Sequence, residues 1–339
     1  MRIAVIGAGR MGRIRVEDLA ADARVSEVLV TNRTDTRAHE VAREHGATVI
    51  PWGDDTLLDA DAFVITTGTD THLEHLERLI PLGRTILCEK PIALTLRETR
   101  SAMDLAHEHG APLQIGFQRR FDSGLARIHD DIEAGTIGTL YSLVLTAHDH
   151  QPSPREFIGG SGGIYRDMHV HDFDQVRWLT GEDVAWVQAT SSVRAHEQYA
   201  EFDDADTTMI MGATTGGVAF SISGSRHDPR GQDVRVEVFG SSDSVASGLN
   251  GRTPLRLMPP DERQFTWESG PEPYSGFVDR FRAAFAHETN AFVTFATGES
   301  TNPCPPEEAL ESLRVAIACE ESVRRSGPVD VTSIDTARN

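Results

Sequence analysis

The chain has 339 residues, 39% of them hydrophobic, and a formal net charge of −20. Its length exceeds that of one ordinary domain and points to two, and its acidity excludes nucleic acid and an anionic membrane surface, which both need basic patches. Three scattered cysteines, Cys88, Cys304 and Cys319, form no CxxC pair, and no apolar stretch reaches the ~18 residues of a membrane helix, so a soluble cytoplasmic protein without disulfides is expected.

The chain opens on an apolar strand, residues 3–6, then Gly7-Ala8-Gly9-Arg10-Met11-Gly12, a helical pattern to about residue 21, and a second strand, residues 25–31. GxGxxG alone is a weak signal. Between a buried-type strand and a helix, with the next strand ending about twenty residues on, it marks a dinucleotide-binding turn. The glycines let the backbone approach a pyrophosphate, and the helix N-terminus offers N–H groups and partial positive charge. The second strand ends at Asn32 and Arg33, where NAD-specific sites usually carry Asp or Glu. Asn32 does not repel a 2′-phosphate and Arg33 can bind one bidentately, with Arg10 adding charge. NADP is therefore expected ahead of NAD, with use of both left open.

Strand and helix keep alternating: helix 37–45, strands 47–50 and 62–66, helix 71–82, strand 85–88, helix 96–109 and strand 113–117. This rhythm predicts a doubly wound parallel sheet in a Rossmann domain over residues 1–120. Ligands of such sheets sit beyond the C-terminal strand ends. Glu89-Lys90-Pro91 lies at one of them. Lys90 is the only lysine; every other one of the 32 Lys and Arg residues is arginine. Lysine offers a compact ammonium that can release its proton, whereas guanidinium stays charged and planar. That difference suits proton transfer at a reacting carbon–oxygen bond.

The texture changes in residues 121–339. A helix over 123–134 precedes longer strands with polar alternation, at 140–148, 184–194, 207–213, 217–225 and 234–240. They predict an α/β domain with a large, open, mainly antiparallel sheet. Gly159-Gly160-Ser161-Gly162-Gly163 is expected to form a mobile or tight loop, followed by a helix with Val170, Phe173 and Val176 on its apolar side. Asp167 and His171, four residues apart, would share a helix face, where the carboxylate can orient the imidazole for proton exchange near neutral pH. His169 and Asp172 would point elsewhere. His148 and His150 flank Asp149, but no metal-ligand spacing appears and no metal is expected. Helices return at 276–295 and 306–326.

The N-terminal GxGxxG, Glu89-Lys90-Pro91 and the Gly159-Gly160…Asp167-x-x-x-His171 helix occur in an order that resembles the glucose–fructose oxidoreductase / inositol dehydrogenase / rhizopine catabolism (Gfo/Idh/MocA) family over nearly the whole chain. The resemblance implies NAD(P)-dependent oxidoreduction of a secondary alcohol on a sugar or cyclitol. Lys90, Asp167 and His171 fall on the family's catalytic positions. His171 would take the hydroxyl proton while hydride leaves the same carbon for nicotinamide C4. Lys90 would hydrogen-bond that oxygen, and Asp167 would orient the substrate. Gln118, Arg119, Asp149 and Gln151 fall on substrate positions, and Thr67, Gly68, His72, Glu89 and Pro91 along the cofactor groove. The family's open sheet commonly forms oligomer contacts, which implies a homodimer or homotetramer. This chain departs from the pattern at Gly68, where many members have proline, and at Asn32. Two other readings are a nucleotide-binding sensor, which would need neither Lys90 nor His171, and a redox-neutral enzyme with tightly held NAD.

Overall fold

The computed structural model describes residues 1–255 and 271–334. They form two compact units, Met1–Phe121 with Ala283–Arg314 and Ile334, and Asp122–Arg282 with Val315–Ser333.

The first unit runs β1 (Arg2–Ile6), α1 (Arg10–Ala20), β2 (Glu27–Thr31), α2 (Asp35–His45), β3 (Thr48–Val49), β4 (Ala62–Ile65), α3 (His72–Leu79), β5 (Thr85–Glu89), α4 (Leu96–His109) and β6 (Leu113–Gly116). All six strands are parallel, in the order β3-β2-β1-β4-β5-β6. The middle of each long strand is apolar because helices cover both faces; Ile3, Val5, Val64 and Leu87 are fully buried. Phe292 and Val293 lie in the same core cluster. Ile115 N donates to Cys304 O at 2.9 Å and Asn302 Nδ2 to Leu113 O at 2.7 Å, fastening the late segment to β6. A single cut near residue 120 therefore does not describe this unit, whose apolar face needs cover supplied from residues 283–314.

The turn after β1 depends on its glycines. Gly7 has φ +108°, and a Cβ on Gly12 would stand 1.8 Å from Gly7 O. Only a residue without a side chain lets α1 come so close to the strand it follows.

The second unit contains α5 (Ser123–Glu133), β7 (Leu140–His148), α6 (Arg155–Ser161), a π-helical turn (Tyr165–His169), α7 (Val170–Thr180), β8 (Val184–Ser192), β9 (Thr207–Thr214), β10 (Ala219–Ser225), β11 (Asp233–Gly240) and β12 (Ser244–Ser247). After α8 (Phe277–Ala296) and α9 (Pro306–Arg325), each shared between the units, comes β13 (Val329–Asp330). The sheet order is β12-β11-β7-β10-β9-β8-β13, antiparallel except where β7 meets β10. Gly159 and Gly160 lie inside α6 and not in the expected loop; the tight link is Gly162-Gly163, at φ +80° and +84°. One sheet face exposes Val144, Met209 and Met211, at 37%, 53% and 52%. Among the described residues, no helix is long and apolar enough to cross a membrane.

Asp206, 2% exposed, is a structural hub of this unit. Its carboxylate accepts from the N–H groups of Arg194, Ala195 and His196 and from the Thr207 hydroxyl, at 2.8–3.0 Å. Burial alone would raise its pKa, but these donors outweigh burial and hold it below the usual carboxylate value.

Two outcomes are expected. Gly12→Ala costs about 3 kcal/mol in a urea melt, because the methyl meets a backbone oxygen that cannot swing away. Asp206→Asn costs about 2 kcal/mol at pH 7. A depressed folded pKa stabilises in full above the ordinary carboxylate range and is lost as pH falls through the folded value, since the unfolded chain binds the proton first. The Asp206→Asn deficit in the melt therefore shrinks as pH is lowered through the acid range; a constant deficit would assign the loss to packing.

Candidate active site

In the first unit, α1 begins at Gly9 with no side chain capping it and no acidic residue in its first turn. A Cβ on Gly9 would stand in open space with nothing within 4 Å. The helix N-terminus thus faces open space with its first N–H groups and partial positive charge, an arrangement that fits the pyrophosphate of a dinucleotide. Arg10 and Met11 follow Gly9 as the first two helical residues.

Asn32, at the end of β2, has both ends of its side chain engaged. Its Oδ1 accepts from Ala8 N and its Nδ2 donates to Thr34 O, each at 2.9 Å. It braces the glycine turn against β2. Arg33 beside it is exposed. Next to these strand ends lies a cavity of about 120 Å³ lined by Ile6, Thr31, Trp52, Leu57, His75 and Arg78, among others. Trp52 and His75 meet edge to face with ring centroids 5.5 Å apart. His75 Nε2 is buried and makes no hydrogen bond among the described residues, and burial pushes the His75 pKa down.

At the C-terminal end of β5, Glu89 is buried, Lys90 is half-buried, and the Lys90–Pro91 peptide is cis. His72 lies behind this turn, 1% exposed, with Nδ1 2.9 Å from Pro91 O and Nε2 3.2 Å from Thr67 O. Burial pushes its pKa down, against the pull of both carbonyls. His72 is thus a buried brace between Thr67 and Pro91. Thr67 is half-buried and Gly68 exposed. Gln118 and Arg119 are both buried, on a 3-10 turn that follows β6.

In the second unit, Asp167 lies in the π-helical turn and His171 in the first turn of α7. The chain between them passes from wide to ordinary helical geometry. His171 is 8% exposed. His169 and Asp172 do point elsewhere. They bond each other in the core, Nδ1 to Oδ2 at 2.7 Å, while His169 Nε2 meets Thr208 Oγ1 at 2.7 Å.

Arg226, just past β10 and 2% exposed, was not singled out from the sequence. It donates to Asp167 Oδ2 at 2.8 Å and lies 3.9 Å from Asp149 and 3.8 Å from Asp204. Burial would lower its pKa, but the three carboxylates outweigh burial and raise it. One fixed cation thus gathers Asp149 and Asp167, two residues expected in the site. Asp149 also accepts from Gln232 Nε2 at 2.9 Å. Gln151 is exposed, three residues beyond β7. His148 Nδ1 lies 3.8 Å from Asp228, close to Asp233, but Asp233 is itself paired with Arg235 at 2.9 Å.

Known proteins share this organisation. Residues 1–117 match the oxidoreductase family with an NAD-binding Rossmann fold (GFO/IDH/MocA), and residues 125–246 match the GFO/IDH/MocA C-terminal domain. The chain is 33% identical to the myo-inositol dehydrogenase Hyg17 of Streptomyces leeuwenhoekii, over 98% of this chain and 99% of that one. It is 30% identical to the inositol 2-dehydrogenase of Rhizobium meliloti, with the same coverage. Among solved structures, a myo-inositol dehydrogenase from Corynebacterium glutamicum superposes with TM-score 0.87 at 30% identity, over 97% of this chain and 98% of that one. With both domains matched and full-length relatives at this identity, the chain belongs to the GFO/IDH/MocA family of oxidoreductases.

Proposed function

We propose that this oxidoreductase dehydrogenates a secondary alcohol of a sugar or cyclitol. The observation that carries the reading is the sole lysine at the end of β5, on the strand-end edge that also bears the glycine turn. A bound nicotinamide would supply the acceptor for the hydride of the carbinol carbon. Lys90 donates a hydrogen bond to the reacting oxygen and steadies its developing charge. His171 takes the hydroxyl proton. Asp167, held by Arg226, orients a substrate hydroxyl, and Arg119, Asp149, Gln118 and Gln151 receive the others. Hydroxyl-rich molecules suit such a set of donors and acceptors, and the inositol-named relatives support that class.

The Trp52–His75 cavity would hold the adenosine end of the dinucleotide in this reading. With Asn32 engaged by backbone, discrimination at the ribose falls to the exposed Arg33. The apolar side chains of Val144, Met209 and Met211 suit contact with a second copy of the chain.

Absorbance at 340 nm with NAD and NADP in parallel, against a panel of inositols, aldoses and their keto forms, tests the reading; silence throughout with cofactor still bound would sink it. Lys90→Arg is expected to keep cofactor binding and lose about a thousandfold in turnover. Turnover near wild type in that variant would remove Lys90 from the chemistry. His171→Ala is expected to abolish the pH dependence of the chemical step. Arg33→Ala is expected to raise KM for NADP about tenfold and leave that for NAD within about threefold, the size of one lost charge-assisted contact. Equal losses would take Arg33 away from the 2′-phosphate.

A further inference from the structure

Arg15 has no exposed surface, yet it is charged and lies in α1, three residues after Gly12. Its Nε and Nη2 both donate to Glu89 Oε1, at 2.9 and 2.8 Å. Nη2 also bonds the buried Glu288 carboxylate, and Nη1 donates to Thr289 Oγ1 at 3.0 Å and Phe285 O at 3.4 Å. The guanidinium lies over the Phe285 ring, 5.5 Å from its centroid. Burial by itself would lower its pKa; Glu288 and Glu89 outweigh burial and keep the charge in place.

A buried ion cluster of this kind is a poor way to gain stability. Apolar side chains of the same volume often serve as well or better, because desolvating the charges cancels most of their attraction. What the cluster supplies is direction. Glu89 immediately precedes Lys90. Its carboxylate is gripped by Arg15 on one side, and its Oε2 rests against Gly116 on the other, where a Cβ would stand only 2.8 Å away. The same guanidinium belongs to the helix whose N-terminus forms the dinucleotide cradle.

We infer that Arg15 is a positioning residue: by gripping Glu89 it fixes the Glu89-Lys90-Pro91 turn relative to α1, and so sets how Lys90 is presented. This rests on the role proposed above for Lys90, and the test separates the two. Arg15→Gln with Glu288→Gln keeps the net charge of the cluster and removes only the grip on Glu89. Glu288→Gln alone keeps the grip. Because Lys90 is the sole lysine, its acylation by acetic anhydride can be followed by peptide mass spectrometry without any substrate, with the Met1 amine as reference. In the double variant the freed Glu89 carboxylate holds the neighbouring ammonium, so Lys90 acylation is expected to slow about tenfold. With a turned-over polyol, kcat is expected to fall at least about tenfold while the dinucleotide Kd stays within about threefold. Glu288→Gln alone is expected to stay within about threefold of wild type on both readouts. Gly116→Ala displaces the same carboxylate from the opposite side and is expected to change acylation in the same sense, which keeps the test open if the double variant does not fold. A folded double variant, or a folded Gly116→Ala, with wild-type acylation and kcat and only a lower melting temperature would overturn the inference. Wild-type turnover in Lys90→Arg, alongside the expected acylation change, would overturn the role of Lys90 and leave the grip of Arg15 standing.

Discussion

A guanidinium taken out of water costs several kcal/mol unless each of its donors finds an acceptor. Arg15 meets that constraint in the first unit, where its Nε, Nη1 and Nη2 all find acceptors, and in the second unit three carboxylates surround Arg226. Arg15 and Arg226 have the largest fully buried side chains among the described residues. Arg15 ties together a helix, a strand end and a segment from late in the sequence, and Arg226 gathers Asp167, Asp149 and Asp204. In both, the acidic side outnumbers the basic one. The arginine keeps its charge, and the carboxylates keep their places. Polar geometry in these units is thus set by long-range pairing of a few fixed cations, while the strands around them supply a largely apolar frame.

That division explains what the sequence makes legible. Frame and punctuation are local properties. The apolar runs of β1, β4 and β5, the glycine at the end of α4 and the polar alternation of β7 and β9 can all be read within a window of about ten residues. The boundaries of α4 and β7 coincide with the expected ones. Lys90 also stands out locally, because its rarity needs no partner to be noticed. Arg15 and Glu89 are 74 residues apart, and Arg15 and Glu288 are 273 apart. Among so many arginines, nothing in the sequence singles out Arg15 and Arg226 as buried.

The same reasoning accounts for smaller departures. Gly159 and Gly160 read as a loop because glycine disfavours helix interiors, yet tertiary contacts keep them in α6. A side chain on Gly159 would meet the Phe202 ring at 3.1 Å, so the helix there uses the missing side chain for close packing. The π-helical turn at Tyr165–His169, which carries Asp167, has no sequence signature. Asn32 was expected near the cofactor as a group that does not repel a 2′-phosphate. Its side chain proves to stitch the glycine turn to β2.

Phe292 and Val293 sit in the core of a unit whose strands are otherwise complete by residue 116. During synthesis, the Rossmann strands leave the ribosome well before the helix that seals one of their faces. At ordinary elongation rates that interval is on the order of tens of seconds. Throughout it, the nascent sheet presents uncovered aliphatic surface, so holdase chaperones have a defined window on this chain. A message truncated before the codon for residue 292 would leave the apolar surface that Phe292 and Val293 cover without that cover.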